Sequence, residues 1–223
     1  MVQTTTAMSG KICLITGGTF GIGQVTVQAL AAQGATVVII ARNKAKAEAT
    51  VEEIKAATGN SAVSFLLANL SSLAAVRKVA QDFKNTFSRL DVLINNAGAM
   101  NWKRTVTADG FETTFGVNHL SHFLLTNLLL DMLKASAPSR IINVSAAAAN
   151  SGKIDFADLQ CEKQFSAMKS YSQSKLANIL FAVGLSKRLQ GTGVTANALH
   201  PGFVATGFAV SLRSDTPELV AAF

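Results

Sequence analysis

Six short stretches of the chain are almost wholly apolar: "KICLIT" (11–16), "ATVVIIA" (35–41), "AVSFLLA" (62–68), "DVLINN" (91–96), "RIINVSA" (140–146) and "VTANALH" (194–200). Near-continuous hydrophobicity over so few residues predicts strands covered on both faces. The segments between them, 22–33, 44–58, 72–88, about 107–134 and about 169–190, follow a helical rhythm. In "AEATVEEIKAAT" and "SLAAVRKVAQDF" the apolar positions recur three and four apart, with polar residues opposite. Ser71 or Ser72 stands where an N-cap of the third helix belongs. Strands alternating with helices at this length predict an α/β fold with a parallel, doubly wound sheet, helices on both faces and right-handed crossovers. Ligands of such sheets sit at the C-terminal ends of the strands, where the strand order reverses. No repeat or linker interrupts the pattern, so residues 1–223 read as a single domain.

Composition narrows the possibilities. Of the 223 residues, 49% are hydrophobic, enough for one well-cored domain. No apolar run approaches the ~20 residues of a membrane span, and "MVQTTTAMSGK" lacks the apolar core of a secretory signal. A cytoplasmic protein without a membrane span is expected. Cys13 and Cys161 do not make a disulfide scaffold, and Cys13 reads as a buried small hydrophobe. His119, His122 and His200 show no metal-ligand spacing, so no metal is expected. The net charge is +7, but Lys and Arg are scattered without a run of four. That points away from nucleic acid and towards an anionic small molecule.

The first strand runs into "TGGTFGIG" (16–23), with Gly17, Gly21 and Gly23 at the turn into the first helix. Such glycines let the strand turn sharply, let a phosphate approach the backbone, and let the helix pack closely. The helix start then offers N–H groups to a pyrophosphate. The same glycines also suit a tight turn without a ligand. In the first strand–helix connection of this Rossmann-type arrangement the cofactor reading is preferred. At the end of the second strand an acid would hold a ribose hydroxyl, and an arginine would take a 2′-phosphate. The sequence there is "IIARNKAK": no acid occurs between Thr36 and Ala47, and Arg42 stands at the strand end. NADP(H) is expected ahead of NAD(H). Lys44 and Lys46 follow, and Lys46 reads as part of a solvated first helical turn.

Seven motifs in order resemble the short-chain dehydrogenase/reductases: "TGGTFGIG", "ARN", "NNAG" (95–98), "TADGFETTFGVNHLSHFLLT" (107–126), "IINVSA" (141–146), "YSQSKLAN" (171–178) and "HPGFVAT" (200–206). The stretches "DGFE", "VNHLSHF" and "SKLANILF" look like the retinol-dehydrogenase-like branch. The resemblance implies Tyr171 as catalytic tyrosine, Lys175 as its partner, Ser145 as catalytic serine and Asn118 as the asparagine completing the tetrad. It further implies a cofactor site of Gly17, Thr19, Phe20, Gly21, Ile22, Gly23, Arg42, Asn69, Leu70, Asn96, Ala97, Gly98, Tyr171, Lys175, Pro201, Gly202, Val204 and Thr206. The implied reaction is hydride transfer between NADP(H) and an alcohol or carbonyl. The implied assembly is a homodimer through the helices of 107–134 and 169–190.

Tyr171 and Lys175 stand four apart, hence on one helix face. An ammonium there favours the phenolate and lowers the tyrosine pKa, readying it to exchange a proton with a substrate oxygen. Ser145 would donate to that oxygen, and Asn118 would position a water next to Lys175. Met100, Trp102, the alanines 146–149, Phe156, Phe203 and Phe208 suggest an apolar substrate mouth. Three departures from the family pattern stand out. Asn69 replaces an aspartate near the adenine. Ser121 replaces a glycine and would crowd a subunit contact. After "HPGFVAT" only "GFAVSLRSDTPELVAAF" follows, so the family's substrate lid and seventh strand are expected to be missing. That leaves an alternative, a weakly active or non-catalytic dinucleotide-binding remnant.

Overall fold

The computed structural model describes residues 6–202. Six strands alternate with helices: β1 (Ile12–Thr16), α1 (Gly21–Ala32), β2 (Thr36–Ala41), α2 (Lys44–Thr58), β3 (Val63–Leu67), α3 (Leu73–Thr86), β4 (Val92–Asn95), α4 (Thr113–Phe115), α5 (Ser121–Ala135), β5 (Ser139–Val144), α6 (Ala167–Arg188) and β6 (Val194–Leu199). A π-helical turn, Gly116–Leu120, joins α4 to α5, and a 3-10 turn, Ala147–Ser151, follows β5. The strands form one parallel sheet in the order β3-β2-β1-β4-β5-β6. The order reverses between β1 and β4, so the crevice expected to bind a ligand opens there.

The continuous apolar runs have a simple cause. Alternate residues of a central strand face opposite layers. Cys13, Ile15, Val37 and Ile39 join α1 and α2 residues such as Val27, Val51 and Ile54 in one core. Leu14, Val38, Ile40 and Leu93 join Phe83, Leu125, Leu129 and Leu185 in the other. Both faces are covered, so neither can be polar. The outer strands differ from that expectation: β6 alternates between buried and exposed positions at its start, and in β3 only Val63 is buried, each strand having only one neighbour. Among the described residues no helix is long and apolar enough to cross a membrane.

Local signals set the helix ends. Asn43 caps α2 by accepting from the Lys46 N–H, and Ser72, rather than Ser71, caps α3 by accepting from the Ala75 N–H. One predicted helix is corrected. Residues 107–112 are not helical: Gly110, at φ 83°, closes a turn, and Val106 pairs with Glu112 across it. The Asp109–Gly110 turn chemistry outweighs the helical rhythm there. The helix starts at Thr113, where the wholly buried Glu112 carboxylate accepts from the Thr114 and Phe115 N–H groups. Ser121 is also fully buried, with its hydroxyl bonded back to the Val117 carbonyl, so it does not stand at a subunit surface.

Candidate active site

The turns after β1 and β4 are laced together. The Thr16 hydroxyl accepts from the Asn96 and Ala97 N–H groups at 2.9 Å each. The Asn96 side-chain amide donates back to the carbonyls of Thr16 and Gly17, at 2.9 and 3.1 Å. Glycine is needed where these turns meet. Gly17 has φ 69°, and a Cβ there would stand 2.9 Å from the Ala97 Cα. A Cβ at Gly23 would collide with the Gly17 carbonyl oxygen and the Asn96 amide. No side chain caps the start of α1. Gly21, Ile22 and Gly23 instead line a cavity of about 1040 Å³. A 12-residue helix opening onto a cavity with unspent N–H groups suits a phosphate.

The cavity continues along the end of β2, past Arg42 and Asn43, and across Asn69, whose side-chain oxygen accepts from the Ser71 N–H and hydroxyl. Lys46 also lines it and holds its ammonium 4.6 Å from the Phe20 ring centroid. Lys46 is exposed in the first turn of α2, as expected, and its ammonium also lies over the phenyl ring at the cavity edge. In the other direction the cavity passes Asn96, Ala97 and Gly98 and reaches Tyr171 and Lys175.

At that end α6 presents Tyr171 and Lys175 on one face, the Lys175 ammonium 5.6 Å from the Tyr171 ring centroid. Lys175 is 4% exposed. Its ammonium donates to the Val144 carbonyl at 3.1 Å, and burial pushes its pKa down to about 8. Burial pushes the Tyr171 phenol up to about 12. This reverses the direction expected for Tyr171: loss of solvent around the phenolate outweighs the nearby ammonium. A Cβ at Gly98 would lie 3.4 Å from Lys175 Nζ and 3.7 Å from Asn118 Oδ1, so both groups border that glycine.

Ser145 and Asn118 are each held at the site by side-chain hydrogen bonds. The Ser145 hydroxyl, buried at the end of β5, donates to the Lys175 carbonyl at 2.8 Å. A hydroxyl has one proton to give, so in this arrangement Ser145 can accept from a substrate hydroxyl but not donate to a substrate oxygen. Asn118, on the π-helical turn, is wholly buried. Its side chain clamps Ala99, accepting from the Ala99 N–H at 2.7 Å and donating to the Ala99 carbonyl at 2.9 Å. A further bond at 3.0 Å goes to the Ser174 hydroxyl. Its side chain thus ties the loop after β4 to α6. A π-helical turn at this point is in keeping with the frequency of such turns at functional sites.

Every expected cofactor-binding residue among the described residues lines this one cavity, including Thr19, Leu70, Pro201 and Gly202. Val204 and Thr206 lie outside the described residues, as do Phe203 and Phe208. Of the proposed apolar mouth, Ala146 lines the cavity, whereas Met100, Trp102 and Phe156 do not, and Phe156 stands 86% exposed. Sequence reasoning missed Lys46, whose partner is 26 positions away (46 − 20). It also missed Thr16, whose only signal was its place at the strand end before Gly17.

A sequence model of the family described as short chain dehydrogenase matches residues 11–217. Retinol dehydrogenase 12 of Homo sapiens is 50% identical over 202 residues, which make up 91% of this chain and 64% of that protein. Retinol dehydrogenase 13 of Homo sapiens is 49% identical over 198 residues, 88% of this chain and 60% of that protein. The chain thus spans less than two thirds of the length of these relatives. Among solved structures, the Pseudomonas aeruginosa RhlG/NADP active-site complex superimposes with a TM-score of 0.78 at 29% identity, covering 98% of this chain and 82% of that one. The crystal structure of an uncharacterized protein from Mycobacterium paratuberculosis gives 0.79 at 39% identity, covering 92% and 75%.

Proposed function

The chain belongs to the short-chain dehydrogenase family, and we propose that it is an oxidoreductase exchanging a hydride between NADP(H) and an apolar alcohol or carbonyl, with Tyr171 as the general acid/base. One observation carries this reading: a single cavity runs from the glycine turn to the Tyr171–Lys175 pair. Its volume, about 1040 Å³, lies just above the ~300–1,000 Å³ of small-molecule sites. Gly21–Gly23 and the start of α1 would hold the pyrophosphate. Arg42 and Lys46 would hold a 2′-phosphate, and Lys175 would hold the ribose beside Gly98. The bound dinucleotide supplies the hydride donor or acceptor. Tyr171 is neutral at ordinary pH and so carries a proton to give to the alkoxide that develops as a carbonyl is reduced. Lys175 carries a charge that titrates near neutrality and favours the resulting phenolate. The names of the relatives support a retinoid-like, apolar substrate.

A reading of low turnover is favoured by the Ser145 hydroxyl, which is committed to the Lys175 carbonyl and leaves the substrate oxygen without that donor. Oxidation of NADPH with a panel of apolar aldehydes and ketones, beside a direct NADPH titration, separates the two readings. Binding with turnover supports the enzyme, binding alone supports the weakly active alternative, and no binding refutes both.

We also propose a homodimer through α5 and α6. Phe123, Leu180 and Val183 are 45%, 51% and 48% exposed there, and the Phe123 ring packs tilted against Phe181 with centroids 5.0 Å apart. An apolar surface of this kind is suited to burial against a second copy.

A further inference from the structure

We propose that His122 is a positioning residue: as the neutral imidazole protonated on Nδ1, it bridges the main-chain carbonyl of Asn118 to the Thr16 hydroxyl and so sets the spacing between the Asn118 turn and the cofactor turns. The proposal rests on the oxidoreductase reading above and adds a residue to its machinery.

The proton positions follow from the partners. His122 Nδ1 lies 3.0 Å from the Asn118 carbonyl oxygen, which can only accept, so Nδ1 carries the hydrogen. A neutral ring then leaves Nε2 as an acceptor, 2.9 Å from Thr16 Oγ1. The Thr16 oxygen already accepts from the Asn96 and Ala97 N–H groups, and its one proton is left for Nε2. The other candidate for that proton, the Ile94 carbonyl, is farther away at 3.5 Å. Each polar atom of the ring is satisfied in this arrangement and in no other. His122 is 1% exposed, and burial pushes its pKa down to about 3, consistent with a neutral ring.

The bridge matters because of what it joins. At one end is the π-helical turn carrying Asn118, whose side chain fixes Ala99 beside Gly98 and Lys175. At the other is the Thr16 hydroxyl that laces the turns after β1 and β4. The residues next to these two supports, Gly17 and Val117, line the cavity, so a shift of His122 would change the distance between the cofactor cradle and the catalytic pair. Misplacement of about 1 Å at such a distance can cost ~10²-fold in rate.

Two measurements test this. In the cofactor-free protein at pH 7, two-bond proton–nitrogen spectra of the histidine rings, with the His122 signals assigned by their loss in His122→Phe, should show a neutral Nδ1–H ring. An Nε2–H ring or an imidazolium would overturn the proposal without bearing on the enzymatic reading. In kinetics, His122→Phe and Thr16→Val should each lower kcat by roughly tenfold or more, Thr16→Ser should restore it, and the double variant should lose no more than the worse single one. Variants that lose melting temperature but keep kcat per folded molecule, or losses that add in the double variant, would make His122 an ordinary core residue. Absence of turnover in the wild type would count against the enzymatic reading alone, since the ring spectra need no turnover. If the Phe or Val variant failed to fold, the His122 signals would be assigned by elimination with His119→Gln and His200→Gln, and the wild-type spectrum would still decide.

Discussion

The hydroxyl of Ser145 donates to the main-chain carbonyl of Lys175 at 2.8 Å, while the ammonium of Lys175 donates to the carbonyl of Val144 at 3.1 Å. The two bonds run in opposite directions between the end of β5 and α6, and together they form a clasp that fixes the lysine from both its backbone and its tip. Ser145 on this account acts on the lysine rather than on the substrate. Ser145→Ala should then lower kcat by less than about tenfold, because removing a donor to a developing oxyanion would cost ~10²–10³-fold. Steady-state kinetics of the two proteins distinguish these magnitudes.

Lys175 links the site to stability. Its folded pKa is about 8, against ~10.4 for a free lysine. Below about 8 it is charged in both states, and the full penalty of burying the ammonium is present. Between about 8 and ~10.4 the unfolded chain holds more protons than the folded one, so stability rises with pH through that window. Lys175→Met should abolish turnover yet be at least as stable as the wild type at pH 7. The wild type should gain on it by on the order of 2 kcal/mol between pH 7 and pH 9.5. Urea unfolding of both proteins at the two pH values measures that difference, in which groups common to both cancel.

Cofactor choice rests on Arg42 and Lys46, which line the same end of the cavity. Arg42→Ala and Lys46→Ala should each weaken NADPH binding by ~10–100-fold, the range expected for a charge-assisted bond to phosphate. NADH affinity should barely change. Fluorescence titrations with both nucleotides check this, and an NADH preference in the wild type would contradict the assignment.

For the assembly, Leu180→Asp places a charge on the apolar face shared by α5 and α6. Sedimentation velocity should show the dimer of the wild type reduced to monomer, with the melting curve of the monomer otherwise cooperative. An unchanged sedimentation coefficient would move the interface elsewhere.

Much of the fold was legible because central strands between two helical layers leave no polar face, as Val37 to Ile40 illustrate. The Tyr171–Lys175 pair was legible because four residues of helix bring two side chains together wherever the helix goes. What escaped depends on distant partners or on rotamers. The direction of the Ser145 hydroxyl is a choice among staggered positions, decided by the Lys175 carbonyl 30 positions away. His122 takes its role from Thr16, 106 positions away. Lys46 is solvated as its place in the first turn of α2 implies, but nothing local shows Phe20 or the cavity beside it. The rise in the Tyr171 pKa reflects burial, which i,i+4 spacing does not convey. The helix expected from 107 failed locally, because Asp109–Gly110 makes a turn that helical periodicity does not register.

The central claim is that Tyr171 moves the proton. Tyr171→Phe keeps the ring and its packing and removes only the hydroxyl. Single-turnover oxidation of NADPH with an apolar aldehyde, measured on wild type and variant at saturating cofactor, tests this most directly. The account predicts a rate at least ~10²-fold lower in the variant, within the 10²–10⁴-fold range of general acid–base groups, with NADPH affinity nearly unchanged. A variant that kept more than about a tenth of the wild-type rate would contradict it, because a proton donor worth so little is not the acid of the reaction.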